Sequence, residues 1–187
     1  MKSTPEEFFK NTILVHESAK HSLDPQDRGN WFNGVLVGSK YGVTGKALAA
    51  YRGVATITRD DMAKLAEAEA IALGLAGYYH IQGIDLLPWD VVLAGVVDLA
   101  FNAGPMAAVE VLQKMIRTDA DGNAGPGTRA AYRRWRCNVS DDAAMKAWTA
   151  ARVAFYKGLH NPRYEAGWIN RANSFLPGTP WWKANVA

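Results

Sequence analysis

Between residues 86 and 103 the chain carries apolar side chains around nearly the whole circumference of a would-be helix, in Val91-Val92-Leu93-Ala94-Gly95-Val96-Val97 and Leu99-Ala100-Phe101. A helix without a polar face is stable only when neighbours cover most of it, so this stretch predicts a central buried helix from near Pro88 to Asn102. Ala103-Gly104-Pro105 stops it. Pro88, Asp90, Asp98 and Asn102 interrupt the run, which makes it a core helix and not a membrane span. Other helices must therefore wrap it. The pattern supplies them near residues 106–117 and 126–136, from Ser140-Asp141-Asp142 to about His160, and from Pro162 through Trp168 to about Ala172. The last two open on a capping residue and a proline.

Upstream, Thr4-Pro5-Glu6-Glu7 is a capping box with proline at the first helical position, so a helix begins there. Phe9, Ile13, Leu14 and Glu17 follow at helical spacing, which puts Glu17 one turn beyond Ile13 on the core-facing stripe. A carboxyl among apolar neighbours is desolvated and holds its proton toward neutral pH, as a general acid must. A solvated glutamate at a helix end is the bland reading of the same pattern. Residues 21–34 are rich in Asp, Pro, Gly and Asn and predict turns. Asn33-Gly34, between Trp31-Phe32 and Val35-Leu36-Val37, signals a hairpin with Asp24 and Asp27 at its entrance. Aspartates so placed usually cap backbone amides. Thr58-Arg59-Asp60-Asp61 opens a helix through about Tyr79, with Met62, Leu65, Ala66, Leu73 and Ala76 facing the core. The tail from Pro177 to Lys183 is expected to be irregular. The fold class is mainly α, with a small β-hairpin element near residues 29–44.

Several chemistries drop out. His16 and His21 flank Glu17, but they are five apart, about 140° around a helix of 3.6 residues per turn, where the zinc-protease pattern needs four. Counted from Asp119, the sixth and twelfth positions of a calcium loop are Ala124 and Ala130, which cannot serve. No metal is predicted. No serine sits in a Gly-x-Ser-x-Gly elbow, and Cys137, the single cysteine, can form no intramolecular disulfide. The net charge of +3 favours polyanions. Its densest cluster, Arg133, Arg134 and Arg136, reads as a solvated helix face, and no nucleic-acid partner is predicted. Acids and a proline among residues 1–7 leave no apolar core for a signal peptide. Carboxylate chemistry remains: glycoside cleavage pairs a protonated acid with a second carboxylate that activates water or stabilises positive charge.

The order of motifs resembles that of the glycoside hydrolase family 108 lysozymes, which include phage endolysins and secretion-associated muramidases. That family has a helix ending in Glu-Gly-Gly-Tyr, an Asp-Pro-x-Asp-x-Gly loop and a Thr-x-x-Gly-Ile strand. This chain has Glu17, then Asp24-Pro25-Gln26-Asp27-Arg28-Gly29, then Ser39-Lys40-Tyr41-Gly42-Val43. Ser18-Ala19-Lys20 stands where the family has Gly-Gly-Tyr, and Ser39 replaces the threonine. The second half resembles the peptidoglycan-binding region that usually follows, through Asp98-Leu99-Ala100-Phe101-Asn102-Ala103-Gly104, Leu112-Gln113, Asp121-Gly122-Asn123-Ala124-Gly125 and Tyr164-Glu165-Ala166-Gly167-Trp168.

The resemblance implies a lysozyme-like helical fold with a catalytic region at residues 1–90 and a peptidoglycan-binding-like region at residues 91–187, packed as one globular unit. It implies hydrolysis of the β-1,4 bond between N-acetylmuramic acid and N-acetylglucosamine, with Glu17 as general acid, Asp27 as second carboxylate and Ser39 helping to hold water. Substrate contacts are expected from Asp24, Tyr41, Asp98, Asn102, Gln113, Tyr164 and Trp168. No cofactor is implied. The expected partner is the glycan strand of bacterial peptidoglycan, met by a monomer that inserts into no membrane and waits in the host bacterial cytoplasm until a holin releases it to the wall. The alternatives are a secretion-associated muramidase, a wall amidase or peptidase, and a non-catalytic wall-binding module.

Overall fold

The computed structural model describes residues 1–17 and 19–186, and the chain folds as two compact units, residues 5–76 and residues 1–4 with 77–187. Helix α1 (Pro5–Phe8) starts where the capping box and proline place it. It then widens into a π turn (Phe9–Ile13) and tightens into a 3-10 turn (Leu14–His16). These changes of pitch bring Phe8, Phe9, Ile13 and Leu14 all into the core. The helix ends at His16. Glu17 is extended at φ −98° and ψ 138°, so it has turned off the apolar stripe expected of it and reaches out from the helix end. Ser18, at the position of the family's first Gly after the acid, lies outside the described residues.

Two antiparallel hairpins follow, β1 (Trp31–Phe32) with β2 (Val35–Leu36) and β3 (Ser39–Lys40) with β4 (Val43–Thr44). Both have a two-residue turn with φ positive at each central position, 49° and 77° at Asn33-Gly34 and 54° and 71° at Tyr41-Gly42. This turn matches the twist of the strands it joins. The first was expected from Asn-Gly; the second hides behind a tyrosine. Helix α2 (Gly45–Arg52), capped by the Thr44 hydroxyl, begins as β4 ends. A side chain at Gly45 would come within 2.6 Å of Val37 Cγ2, so glycine lets the helix close on the hairpins.

The single helix expected over residues 58–79 is two, α3 (Arg59–Ala63) and α4 (Glu67–Tyr78). Its capping box forms as expected, with Thr58 and Asp61 exchanging hydrogen bonds. The break comes from outside the segment: Lys40 on β3 donates to the carbonyls of Ala63 and Leu65, both at 2.9 Å, satisfying the end of α3. Met62 and Leu65 are buried as expected, Leu73 is half-buried, and Ala66 and Ala76 are exposed because the break changes the phase. Ala70 and Leu75 take the core positions, and Phe9 lies so close to Gly74 that a Cβ there would sit 2.0 Å from the ring.

In the second unit α5 (Val91–Ala103) is the central helix, buried at every position from Val91 to Ala100. It begins three residues later than Pro88 because Asp90 caps it, accepting from the Val92 and Leu93 amides. Tyr132 and Arg136 also donate to Asp90, each at 2.7 Å. Burial and that carboxylate push the Tyr132 phenol well above its ordinary range, which keeps it a donor. Gly104 ends the helix at φ 91°. Around α5 lie α6 (Pro105–Met115), α7 (Pro126–Arg136), α8 (Asp141–Gly158) and α9 (Pro162–Asn173); α6 and α8 pack on it directly, and α9 packs on α8. The tail is not irregular throughout. Thr179 caps a short helix, α10 (Pro180–Asn185), whose Trp182 is buried.

Candidate active site

In the first unit, Glu17 is fixed by its own amide, which donates to Leu14 O at 2.9 Å. Its half-buried side chain lies across the turn of the β3–β4 hairpin. A Cβ built on Gly42 would be 2.8 Å from Glu17 Oε2 and 3.2 Å from Cγ, so the carboxylate occupies the space a side chain at Gly42 would take. Ser39 is half-buried on β3 of the same hairpin, opposite Thr44, and exchanges two backbone hydrogen bonds with Ser22 at 2.8 and 3.0 Å. Tyr41 forms the other half of the turn, with Lys40 Nζ 5.3 Å from its ring centre.

Asp24 and Asp27 are exposed and do the capping expected of turn aspartates. Asp24 Oδ1 accepts from the Gln26 amide at 2.9 Å, and Asp27 Oδ1 from the Gly29 amide at 2.8 Å. A Cβ at Gly29 would contact both Asp27 Oδ1 and Thr44 Cγ2, at 3.2 and 3.4 Å, so the Asp27 turn lies against Thr44. The hairpin thus carries Glu17 at Gly42 and the Asp27 turn at Thr44, two residues on and about 7 Å along a strand. Asn30, a residue with no earlier signal, holds this together. Fully buried, it donates to Asp24 O at 2.9 Å and to Ser22 Oγ at 3.3 Å, while its carbonyl accepts from Val37 and Gly38. Chemically, the arrangement presents one partly shielded acid and one solvated carboxylate along one hairpin.

In the second unit the expected contacts separate into interior and surface groups. Asp98 is fully buried and accepts from Arg152 Nη2 at 2.6 Å and Arg171 Nη2 at 2.7 Å. Gln113 is fully buried too, donating to Asp121 Oδ1, Asn123 O and Thr128 Oγ1 and accepting from the Gly122 amide. With no exposed surface, neither can touch a wall polymer, so the contact expected of them is corrected to an interior role. Asp121 is held below the usual carboxylate range by the Gln113 hydrogen bond first and the Asn123 amide second. Asn102 is exposed and donates to Asp98 O at 2.7 Å. On α9, Tyr164 is exposed, and Trp168 is half-buried between it and Tyr156, with ring centres 5.8 and 5.4 Å apart.

Residues 10–104 match the family model described as Glycosyl hydrolase 108, which covers half of the sequence. The chain belongs to glycosyl hydrolase family 108. It is a glycoside hydrolase, lysozyme-like in fold. Residues 107–173 of this family 108 hydrolase match a second model, Predicted Peptidoglycan domain, which makes peptidoglycan its partner and substrate polymer. Among solved structures it is similar to SagA of Brucella abortus, at 26% identity over 91% of this chain and 90% of that one, with a TM-score of 0.68. No curated protein matches. No helix among the described residues is long and apolar enough to cross a membrane.

Two predictions arise from this geometry. Gly42→Ala in the hydrolase should cost roughly 1–2 kcal/mol for left-handed backbone at a residue with a Cβ, and should also displace Glu17. Gly34→Ala carries the same strain, φ being 77°, but its Cβ would meet nothing within 4 Å. Both variants should lose similar stability in urea titrations, while wall clearing falls only with Gly42→Ala. Equal clearing by both would break the link between this turn and the acid. Gln113→Ala should destabilise the second unit by about 1–3 kcal/mol, because it leaves buried groups of the 121–128 loop unpartnered. Urea unfolding checks it, and a change under 0.5 kcal/mol would contradict the interior role.

Proposed function

We propose that this family 108 hydrolase is an endolysin cleaving the β-1,4 bond between N-acetylmuramic acid and N-acetylglucosamine, with Glu17 donating the proton to the leaving oxygen. The observation that supports this best is the Glu17 carboxylate seated over Gly42: a single, partly shielded acid fixed by a rigid hairpin inside the segment that matches the glycosidase family. Asp27 is solvated and near enough along the hairpin to serve as second carboxylate, and Ser39 offers a hydroxyl on the adjoining strand. Tyr41 and Asp24 border the same loop and are substrate contacts in this reading. Tyr164 and Trp168 offer the second unit a ring surface for sugars, and Asn102 an exposed amide.

Purified cell walls, digested and analysed for new ends, test the reading. New muramic-acid reducing ends are the expected result. New free amino groups would point to an amidase or peptidase, and pelleting with walls without release of soluble fragments to a non-catalytic binding module. The biological use proposed is host lysis by a monomer that reaches the wall when a holin opens the membrane. A holin gene beside this one fits that use; a secretion cluster there would make the chain a muramidase that opens the wall locally.

A further inference from the structure

We propose that the second unit holds a binding site for a carboxylate-ending peptide, which in the wall polymer is the stem peptide and not the glycan. The site is a pocket of about 310 Å³ walled by Gln82, Gly83 and Leu86 on one side and Ala124, Gly125 and Arg129 on the other. The two walls are tied by the Ala124 amide, which donates to Gln82 O at 2.7 Å. Gly83 approaches so closely, at φ 72°, that a Cβ would lie 2.9 Å from Ala124 O. The Ala124 and Gly125 amides and the Gln82, Gly83 and Gly125 carbonyls are paired within the chain, so recognition in this pocket falls to its side chains.

The charge in the pocket selects the end of the peptide. Arg129 and Gln82 are both half-buried, and among the described residues neither side chain has a hydrogen bond or ion pair. The nearby carboxylates are engaged elsewhere, Asp85 with His80 at 3.0 Å and Asp121 with Gln113 and Asn123. A partly desolvated guanidinium without a counter-ion is stabilised by a carboxylate that it can grip with two N–H groups. Leu86, 53% exposed, offers an apolar surface to a small methyl side chain beside that carboxylate. No aromatic ring lines the pocket. Stacking on an aromatic ring is a common part of sugar recognition, and the exposed Tyr164 with the half-buried Trp168 beside it lies elsewhere, on α9. The inference rests on the reading that the wall is the substrate, and it adds a site for the peptide to the groups proposed to meet the glycan.

The test is amide NMR on the full chain, with three soluble probes: a free-acid tetrapeptide of stem composition ending in D-alanine, its C-terminal amide, and the N-acetylglucosamine–N-acetylmuramic acid disaccharide without peptide. The free acid should shift the amides of Gly83, Asn123 and Ala124, and the amide form should bind about tenfold more weakly, the equivalent of one charge-assisted contact. Arg129→Gln should erase that difference while leaving the rest of the spectrum in place. Shifts at these amides with the disaccharide alone, or an unchanged preference in Arg129→Gln, would overturn the site. Wall digests are read separately. New reducing ends without peptide shifts would sink only this inference, and peptide shifts without new ends would sink only the muramidase reading.

Discussion

Glu17→Gln should abolish wall clearing, with activity down by about 10²–10⁴-fold, the range a positioned general acid contributes. The substitution keeps the side chain's shape over Gly42 and the hydrogen bond that the residue's backbone N–H donates to Leu14 O, and removes only the proton that can be given. Circular dichroism and thermal unfolding should therefore match the parent, which separates chemistry from folding. Asp27→Asn is the informative companion. Asparagine still caps the Gly29 amide, so the loop stays built while the negative charge is lost, and the fall in activity measures what a second carboxylate contributes. Clearing by Glu17→Gln at the parent rate on purified walls would remove this residue from the mechanism.

What the sequence discloses about this site depends on whether the determining interaction is local. The Asn33-Gly34 turn is legible because few residues tolerate positive φ at both positions. Tyr41-Gly42 adopts the same geometry without that signal, since tyrosine at φ 54° is held by the pairing of Ser39 with Thr44 and not by its own preference. The acid's place is half legible. Periodicity finds the helix that leads to Glu17, but the wide turn at Phe9–Ile13 and the tight one at Leu14–His16 decide that it leaves the apolar stripe. Nothing in a 3.6-residue repeat encodes that change of pitch.

The helices show the same division. Asp90, Ser140 and Gly104-Pro105 act on their own neighbours, and the elements they start or stop stand where local chemistry puts them. The break between α3 and α4 depends on Lys40, which is 23 and 25 residues from the carbonyls it satisfies. Helix α10 was legible in principle, since Thr179-Pro180 is a cap followed by proline at the first position, but the Pro-Gly pair just before it reads as a coil. The aspartate in the central helix is the plainest case of a residue whose role lies outside its segment. Its polar partners on α8 and α9 are 54 and 73 residues away.

Asp98→Ala should be the most destabilising single change in the second unit, by about 3–5 kcal/mol, because it takes the anion from between two guanidinium groups, one of them fully buried. Arg152 is 1% exposed and donates to both Asp98 and Tyr156, so it cannot turn to water. Arg171 has two nitrogens on the same carboxylate and is 24% exposed, which gives it a partial escape that Arg152 lacks. Arg171→Ala should accordingly cost less than Arg152→Ala. For a chain of this length the Asp98→Ala loss corresponds to a melting temperature lower by roughly 10 °C. Replacing Asp98, Arg152 and Arg171 together by apolar residues of similar volume should recover most of it, since neither fully buried charge, Asp98 or Arg152, is then left without the other. Urea unfolding followed through the tryptophans reads all four variants. If Asp98→Ala unfolds within 1 kcal/mol of the parent, or the triple replacement is worse than the single one, the buried cluster is not what joins α5 to α8 and α9.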